Sequence, residues 1–567
     1  MRNWRALRFR IKLYNVVKPM CTSGTSPAST ALAPFSNPVF RSLWVATLIS
    51  NLGGLIQAVA AGWTMTTLTD SQSMVALVTA STSLPIVGLS LFAGVLADNY
   101  DRRRIMLVAQ ILMLVASIGL TLATYFNQLT PWLLLTFTFL IGCGGALNNP
   151  SWQASIGDIV PREQVPAAVM ANGMSFNIMR SIGPALGGII IVAAGAAAAF
   201  AMNTMSYVAL IIALTLWRRP VPDSSLPRER FARATNAGFQ YVSLSPNLLS
   251  IILRGCLFGL TAVAVQALLP LIARDLLGGS ASTYGFLLGF FGVGAVGGAL
   301  CNSKIRAKFD NETIIRTTFI GTAFGTLLLS TGHGMIVAGI ALLLCGACWV
   351  TTNALLNVSL QLSTPRWVVG RALSFYMMGN ASGMVVGSWV WGLLAEAYGL
   401  QMALVMSAAT VILGALAGYK LPMPEFNRLN LDPLNQFIEP TLAVQLKPQT
   451  GPIMITVDFD IGESDIPAFL ETMTLRRRIR KRDGARRWSL LRDLEQPNIW
   501  TEKFYVATWV EYIRHNQRRT ISDSGITETL HGLHRGAEPP KVRRMIERQT
   551  VPKQADPYIK NVYKELR

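Results

Sequence analysis

Gly94-Val95-Leu96-Ala97-Asp98-Asn99-Tyr100-Asp101-Arg102-Arg103-Arg104 joins two apolar runs, 72–97 and 104–126, near the start of a 567-residue chain. A bilayer core about 30 Å thick is crossed by roughly 20 apolar helical residues, so each run is long enough to span it. A short turn with three consecutive arginines between two such runs reads as a membrane hairpin whose charged turn stays in water.

The same alternation recurs in both directions. Apolar runs lie at 41–68, 72–97, 104–126, 130–149, 165–194, 197–217, 247–273, 282–303, 313–331, 335–360, 370–397 and 401–420. They predict an all-α membrane body of twelve helices. Composition agrees: 51% of residues are hydrophobic and 14% charged, against roughly 25% charged in soluble domains. Alternate turns are basic. One set carries Arg102–Arg104, Arg162, the arginines between Arg218 and Arg233, Lys304–Lys308, Arg366 and Arg371, whereas the other holds only Arg274. The positive-inside rule then puts the arginine-rich turns in the cytoplasm, and an even number of spans puts both termini there too. The long turn 218–246 divides the runs six and six, the pattern of a transporter built from repeated halves.

The expected domains are a basic and polar extension (1–38), a first six-helix lobe (39–217), a central cytoplasmic loop (218–246) and a second lobe (247–421). A proline-containing linker (422–450), a soluble α+β domain (451–550) and a tail (551–567) follow. Met20 opens a polar segment and is read as an alternative start, which would leave 1–19 as an unstructured extension. No cleavable signal follows the basic Met1–Lys18 stretch. The net charge of +20 is spread over extension, body and tail, so a lipid surface rather than nucleic acid is the expected partner. Six scattered cysteines imply no disulfide framework. Cys345 and Cys348, in an apolar run without companion ligands, read as packing residues, and no metal site is expected.

The opening stretch resembles the loop-2/3 signature of the major facilitator superfamily. Gly94, Asp98, Arg102 and Arg103 stand at matching places, and Asp101 replaces a second glycine. The resemblance implies two lobes that alternate access. Gly94 would allow close helix approach, and Asp98 with the arginines would form a latch across the lobe interface. A second copy after the eighth run keeps Gly298, Lys304, Arg306 and Lys308 but has Asn302 where the acid would be.

In the fifth run, Asn177, Arg180, Pro184 and Gly187 share one helical face. Gly183, Pro184, Gly187 and Gly188 permit close approach and a kink. This GPxxGG core resembles the antiporter motif of exporting facilitators, with Met170 and Met179 where the longer form has glycines. Arg180 lies mid-span, where a charge costs several kcal/mol, so it should face an aqueous cavity or a partner. Attraction of an anionic or electron-rich substrate, a gating role, and a hydrogen bond to carbonyls or Asn177 all remain open. Asn51, Gln57, Gln266, Asn353, Asn357 and Asn380 are further candidates for a cavity lining, though each reads more readily as a helix-packing hydrogen bond than as a substrate contact. Glu396 reads as solvated.

Pro38–Trp44, Asn149–Ala154, Ile159–Arg162 and Pro166–Ala168 resemble the bacterial enterobactin-exporter-like group of facilitators, and the likeness extends to Arg482–Trp488. It implies export of a small molecule, siderophore or drug-like. A metabolite importer stays open. Spans one and four carry no mid-span acid, and no GxxxxGK[ST] phosphate loop is present. Proton antiport is therefore expected from resemblance alone, and no cofactor is expected.

Beyond the linker, a strand at Ile453–Asp460, a helix at 463–479, strands at 485–493 and 499–508, and a helix at 509–519 suggest a ferredoxin-like domain. It resembles antibiotic-biosynthesis-monooxygenase-like modules, which implies dimerisation or regulation. The alternative, a membrane-anchored oxygenase, would need Trp488, Trp509 and His515 around a cavity. His531 and His534 lack further ligands and read as solvated.

Overall fold

Side-chain oxygens start the first helices. Asn37 accepts from the amides of Val39 and Phe40, Ser71 from Met74, Asp101 from Arg103 and Thr130 from Leu133, each satisfying an otherwise orphaned N–H. In the computed structural model, which describes residues 33–161, 164–217, 231–365, 367–424, 431, 434, 437, 439–444 and 446–547, these caps open α1 (Pro38–Leu68), α2 (Gln72–Asn99), α3 (Arg102–Tyr125) and α4 (Pro131–Ile159).

The next helix, α5 (Val165–Leu216), has 52 residues and would be about 78 Å long if straight. It is broken at Gly195, where φ is 82° and ψ 169°. Gly183 and Gly187, before the break, face Leu55 and Ile56 of α1. Asn203 and Ser206, after it, meet Gln57 and Gly53 on the same turns of α1. Residues equally far from Gly195 thus reach one level of α1, and the chain doubles back there as two arms.

The second half comprises α7 (Pro246–Leu271), α8 (Ala281–Lys308), α9 (Asn311–Ser330), α10 (Met335–Leu362), α11 (Val369–Tyr398) and α12 (Leu400–Leu416). Among the described residues ten helices are long and apolar enough to cross a membrane. Twelve runs become ten helices because α5 holds two of them, and because α11, at 30 residues, is long enough but more polar.

Three elements were not expected. Within the supposed loop, α6 (Phe231–Ser243) forms a short amphipathic helix with Gly238, Tyr241 and Val242 buried and Phe239 exposed. The soluble region has the expected β1 (Ile453–Asp460), α13 (Ile466–Arg482), β2 (Arg486–Arg492), β3 (Ile499–Val506) and α14 (Trp509–Gln517). It then adds α15 (Ile521–Leu533) and β4 (Lys541–Ile546). The sheet is antiparallel in the order β2-β3-β1-β4. Ile453, Ile455, Val457 and Phe459 alternate inward from central β1 onto Phe469 and Met473 of α13. Residues 1–32 of the expected extension, 218–230 of the central loop, and 548–567, which include the expected tail, lie outside the described residues.

Candidate transport cavity and lobe interface

At the end of the bundle away from the arginine-rich turns, the halves meet through glycines. Gly188 on the first arm of α5 faces the backbone of Ala281, Ser282 and Gly285 in α8, and Gly285 faces the Pro184 carbonyl. Gly292 meets the Arg180 and Ser181 backbone. A Cβ at any of these three glycines would fall within 3 Å of opposing backbone, so only a small residue allows this approach. Gly392 of α11 lies likewise on Ser73 and Ala76 of α2. Glu396 stands at the surface, where it accepts from Ser71 Oγ (3.1 Å) and the Ser73 amide (3.3 Å). The residue read as merely solvated also ties α11 to α2.

Toward the arginine-rich end the halves part around a cavity of about 760 Å³. One side supplies Ser83, Ser90, Asn149 and Gln153; the other supplies Asn353, Asn357, Asn380, Tyr376 and Arg371. Neutral amides and hydroxyls dominate, with one guanidinium and no carboxylate among the lining residues. Asn353 is central: its amide donates to the Trp349 carbonyl (2.9 Å), and its Oδ1 accepts from Asn380 (3.1 Å) and Tyr376 (3.4 Å). Three of the six cavity candidates thus share this space. Gln57 and Gln266 line a second cavity of about 390 Å³ together with Arg180 and Pro184, and Asn51 lines neither.

The Arg180 guanidinium lies 5.3 Å from the centroid of Phe291, a cation–π approach. Among the described residues it has no carboxylate partner. The Asn177 side chain, the other reading of Arg180, lies outside them.

The arginines of the signature loop also bind within their own half. Arg102 donates to the Ala154 carbonyl (2.7 Å) and Asp158 (2.9 Å) of α4. Arg103 donates to the carbonyls of Leu214 and Thr215 (2.8 Å each), capping the second arm of α5. These bonds fasten α3 to α4 and to the second arm of α5. Asp101, in the place of the family's glycine, caps α3 instead. Gly94 faces the other half, at Ser374. The Asp98 side chain lies outside the described residues.

One buried charge was missed. Arg254 of α7 is 1% exposed and pairs with Glu312 at 2.9 Å. Glu312 also takes Arg316 (2.8 Å) and the Met423 amide (3.2 Å), joining α7, α9 and the exit from α12. A lone arginine in an apolar run was the available signal, the one that singled out Arg180. Cys345 and Cys348 fit against Gly325 and Gly321 of α9. No cluster able to hold a metal occurs among the described residues.

In the soluble region Glu502 is fully buried and accepts from Arg476 (2.8 Å), Arg480 (3.2 Å) and Trp488 Nε1 (3.0 Å). Burial raises its carboxyl pKa, but the guanidiniums of Arg480 and Arg476 outweigh this and hold it at about 2. His515 Nε2 accepts from Arg480 (3.0 Å) and Nδ1 donates to the Asp483 carbonyl (3.2 Å). Burial and the Arg480 charge push it well below the usual imidazole range. Trp509 donates to Glu439 (3.1 Å) and stacks on Tyr512. Trp488, Trp509 and His515, which the oxygenase alternative would need around a cavity, are engaged in packing and hydrogen bonds. His534 is not simply solvated either: Nδ1 accepts from the Asp460 amide and Nε2 donates to the Glu538 carbonyl, both at 2.9 Å.

This region rests on the arginine-rich end. Arg478 of α13 donates to the Leu244 carbonyl (3.0 Å), Arg482 lies 5.1 Å over Tyr241 of α6, and Arg518 lies 4.2 Å over Trp367. Arg482 is held by Asp483 (3.0 Å) and Asp523 (2.8 Å). Burial raises Asp483 to about 6 against the pull of Arg482.

Two helical halves around a cavity that reaches one face of a membrane bundle define a secondary transporter of the major facilitator type. The fold matches the crystal structure of a bacterial homologue of the human lysosomal transporter Spinster, inward-facing and unoccupied, with a TM-score of 0.55 at 14% identity over 68% of this chain and 96% of that one. The nucleoside transporter NupG matches with a TM-score of 0.54 at 12% identity, over 68% and 99%. The chain belongs to the transmembrane secretion effector family, whose sequence profile matches residues 29–551. It is 28% identical over 387 residues to the enterobactin exporter EntS of Escherichia coli O1:K1 / APEC, covering 67% of this chain and 90% of that protein. The EntS of Salmonella typhimurium (strain LT2) is 29% identical over 392 residues, covering 67% and 92%. The chain is a multi-pass membrane transporter of small molecules, homologous to a bacterial inner-membrane exporter.

Proposed function

We propose that this chain exports a small organic molecule, siderophore or drug-like, across a bacterial inner membrane by alternating access. One observation carries the reading. A cavity of about 760 Å³ runs between the halves to the arginine-rich end, while glycine contacts close the far end. Its volume falls in the range of roughly 300–1,000 Å³ typical of small-molecule sites. Its amides, hydroxyls and aromatic rings suit a substrate with many polar groups, and the named EntS relatives favour the siderophore class.

Counting both arms of α5 and including α11 makes twelve passes, with both termini on the arginine-rich, cytoplasmic side. The cavity then opens to the cytoplasm, where an exporter loads. Among the described residues neither cavity is lined by a carboxylate. Proton exchange, which the family resemblance implies, would therefore run through acids at the helix ends, such as Asp158 and Glu312. The soluble region, with its strand order, reads as a ferredoxin-like dimerising or regulatory module. With both ring nitrogens of His515 engaged, an oxygenase there would lack that residue as a base.

The test is transport into inverted membrane vesicles, using a panel of siderophores and drugs. Chain-dependent accumulation that collapses with a proton uncoupler supports the full reading. Accumulation that survives the uncoupler keeps export and removes proton exchange. Uptake confined to right-side-out vesicles would overturn export in favour of import.

A further inference from the structure

The second cavity lies directly beneath the α5–α8 glycine contact, since Pro184, which Gly285 faces, forms part of its wall. Its polar groups are unusually one-sided. Arg180 brings a full positive charge, and no aspartate or glutamate is among the described residues that line the space. The Gln57 carbonyl is taken by Asn203, which leaves its amide N–H groups. Tyr207 oxygen accepts from Asn203 (3.0 Å), which leaves its hydroxyl proton to donate. Gln266 Nε2 is buried with no hydrogen-bond partner among the described residues. The remaining wall is mostly apolar, with Leu55, Ile141, Leu288 and Phe291, and also carries Thr79, Thr82 and Thr138, of which Thr82 and Thr138 donate their hydroxyl protons to carbonyls of their own helices. A guanidinium and spare donors, with neutral hydroxyl and amide oxygens as the acceptors among the described lining residues, are better satisfied once an acceptor with negative charge arrives.

We propose that this cavity is an anion subsite that takes the carboxylate, or a similarly compact anionic group, of an amphiphilic organic acid. Arg180 is its charge partner. Gln57, Gln266 and Tyr207 supply donors, and the apolar wall beside Phe291 holds the ring or chain that bears the acid. As a station on an export path the subsite rests on the reading above; as a binding site it does not.

The experiment uses the full-length chain in detergent, with thermal unfolding as the binding readout. The probes are salicylate, its neutral isostere salicylamide, and sodium chloride and phosphate as inorganic anions. Charge-assisted hydrogen bonds to a buried guanidinium should let salicylate bind about tenfold or more tighter than the amide. Arg180→Gln should abolish that preference. Arg180→Lys should keep part of it, because the charge stays while the planar fork is lost. Gln266→Leu should weaken the acid without affecting the amide. Equal binding of acid and amide by the wild type, or an undiminished preference in Arg180→Gln, would overturn the subsite. Inorganic anions matching salicylate would overturn the organic-acid class. Should Arg180→Gln fail to fold, an unchanged preference in both other variants overturns it equally. Acid-selective binding without vesicle accumulation would leave the subsite standing and remove export, and accumulation without acid preference would do the reverse.

Discussion

Glu502 is the residue at which one substitution should disturb the soluble region most. Glu502→Gln leaves Arg476 and Arg480 buried against a neutral amide, a loss of roughly 3–5 kcal/mol. Hydrogen exchange on the full-length chain should show β3 and α13 amides losing their protection, and unchanged protection would show that the arginines are satisfied elsewhere. The pH dependence has a definite sign. Glu502 has a folded value of about 2, below the ordinary 4.5, so the unfolded chain takes the proton first. Its contribution is complete above about 4.5 and lost as pH falls toward 2. Asp483, raised from 3.8 to about 6, acts oppositely and favours the folded state as pH falls from 6 toward 4. Acid loss of β3 protection below pH 4.5 should therefore disappear in Glu502→Gln, and Asp483→Asn should flatten the stability profile between 4 and 6. Arg180 was conspicuous in the sequence because a charge in an apolar run has no local explanation. Glu502 was also legible in principle, since it shares a strand face with buried Phe504 and Val506. Its arginine partners, on a helix far away in sequence, were not.

The helices themselves were largely written in hydropathy. Twelve apolar runs correspond to the long helices of the bundle, and the soluble strands fall within about two residues of their expected bounds. The misses have physical causes. In α6 the apolar residues are few and are set in a polar stretch, so amphipathicity rather than mean hydropathy marks it. In β4, Lys541-Val-Arg-Arg-Met-Ile546 is an exposed edge strand whose charges hide the alternation. The glycines of α5 and α8 were legible as close-approach residues, but their partners were not. Gly285→Val should push α5 and α8 apart at the far end, because its side chain would meet the Pro184 carbonyl and Gly188. In a background without native cysteines, a cysteine at Ser282 should then react severalfold faster with an impermeant thiol reagent applied to intact cells, and transport should fall. Gly157→Ala, with open space at its Cβ, should change neither. Equal reactivity in the two variants would mean that the contact does not seal that end.

At the scale of the molecule, the soluble region and the cavity share a wall that the sequence did not disclose, because its contacts join residues far apart in the chain. Trp367 lines the cavity, stands edge-on to Tyr241 at 5.5 Å and carries Arg518 on its ring. The α6 helix touches both sides: Gly238 lies on Arg371 and Phe239 is 6.0 Å from Phe375, two residues of the cavity lining, while Tyr241 lies under Arg482. Any closure of the arginine-rich end that moves Trp367 or α6 must shift or break these contacts. The cation–π contact of Arg518 and the hydrogen bond of Arg478 to Leu244 together bias the open state by about 1–3 kcal/mol, or roughly five- to 150-fold in population. The double variant Arg518→Gln, Arg478→Gln keeps polar side chains at both places and removes both cations. It should shift the chain toward the closed arginine-rich end, and a cysteine at Ser374 should become correspondingly less reactive in inverted vesicles. Hydrogen exchange across β1 and β3 must remain unchanged for that result to report coupling rather than unfolding. Unaltered Ser374 reactivity with an intact sheet would mean that the soluble region rides on the transporter without biasing its cycle.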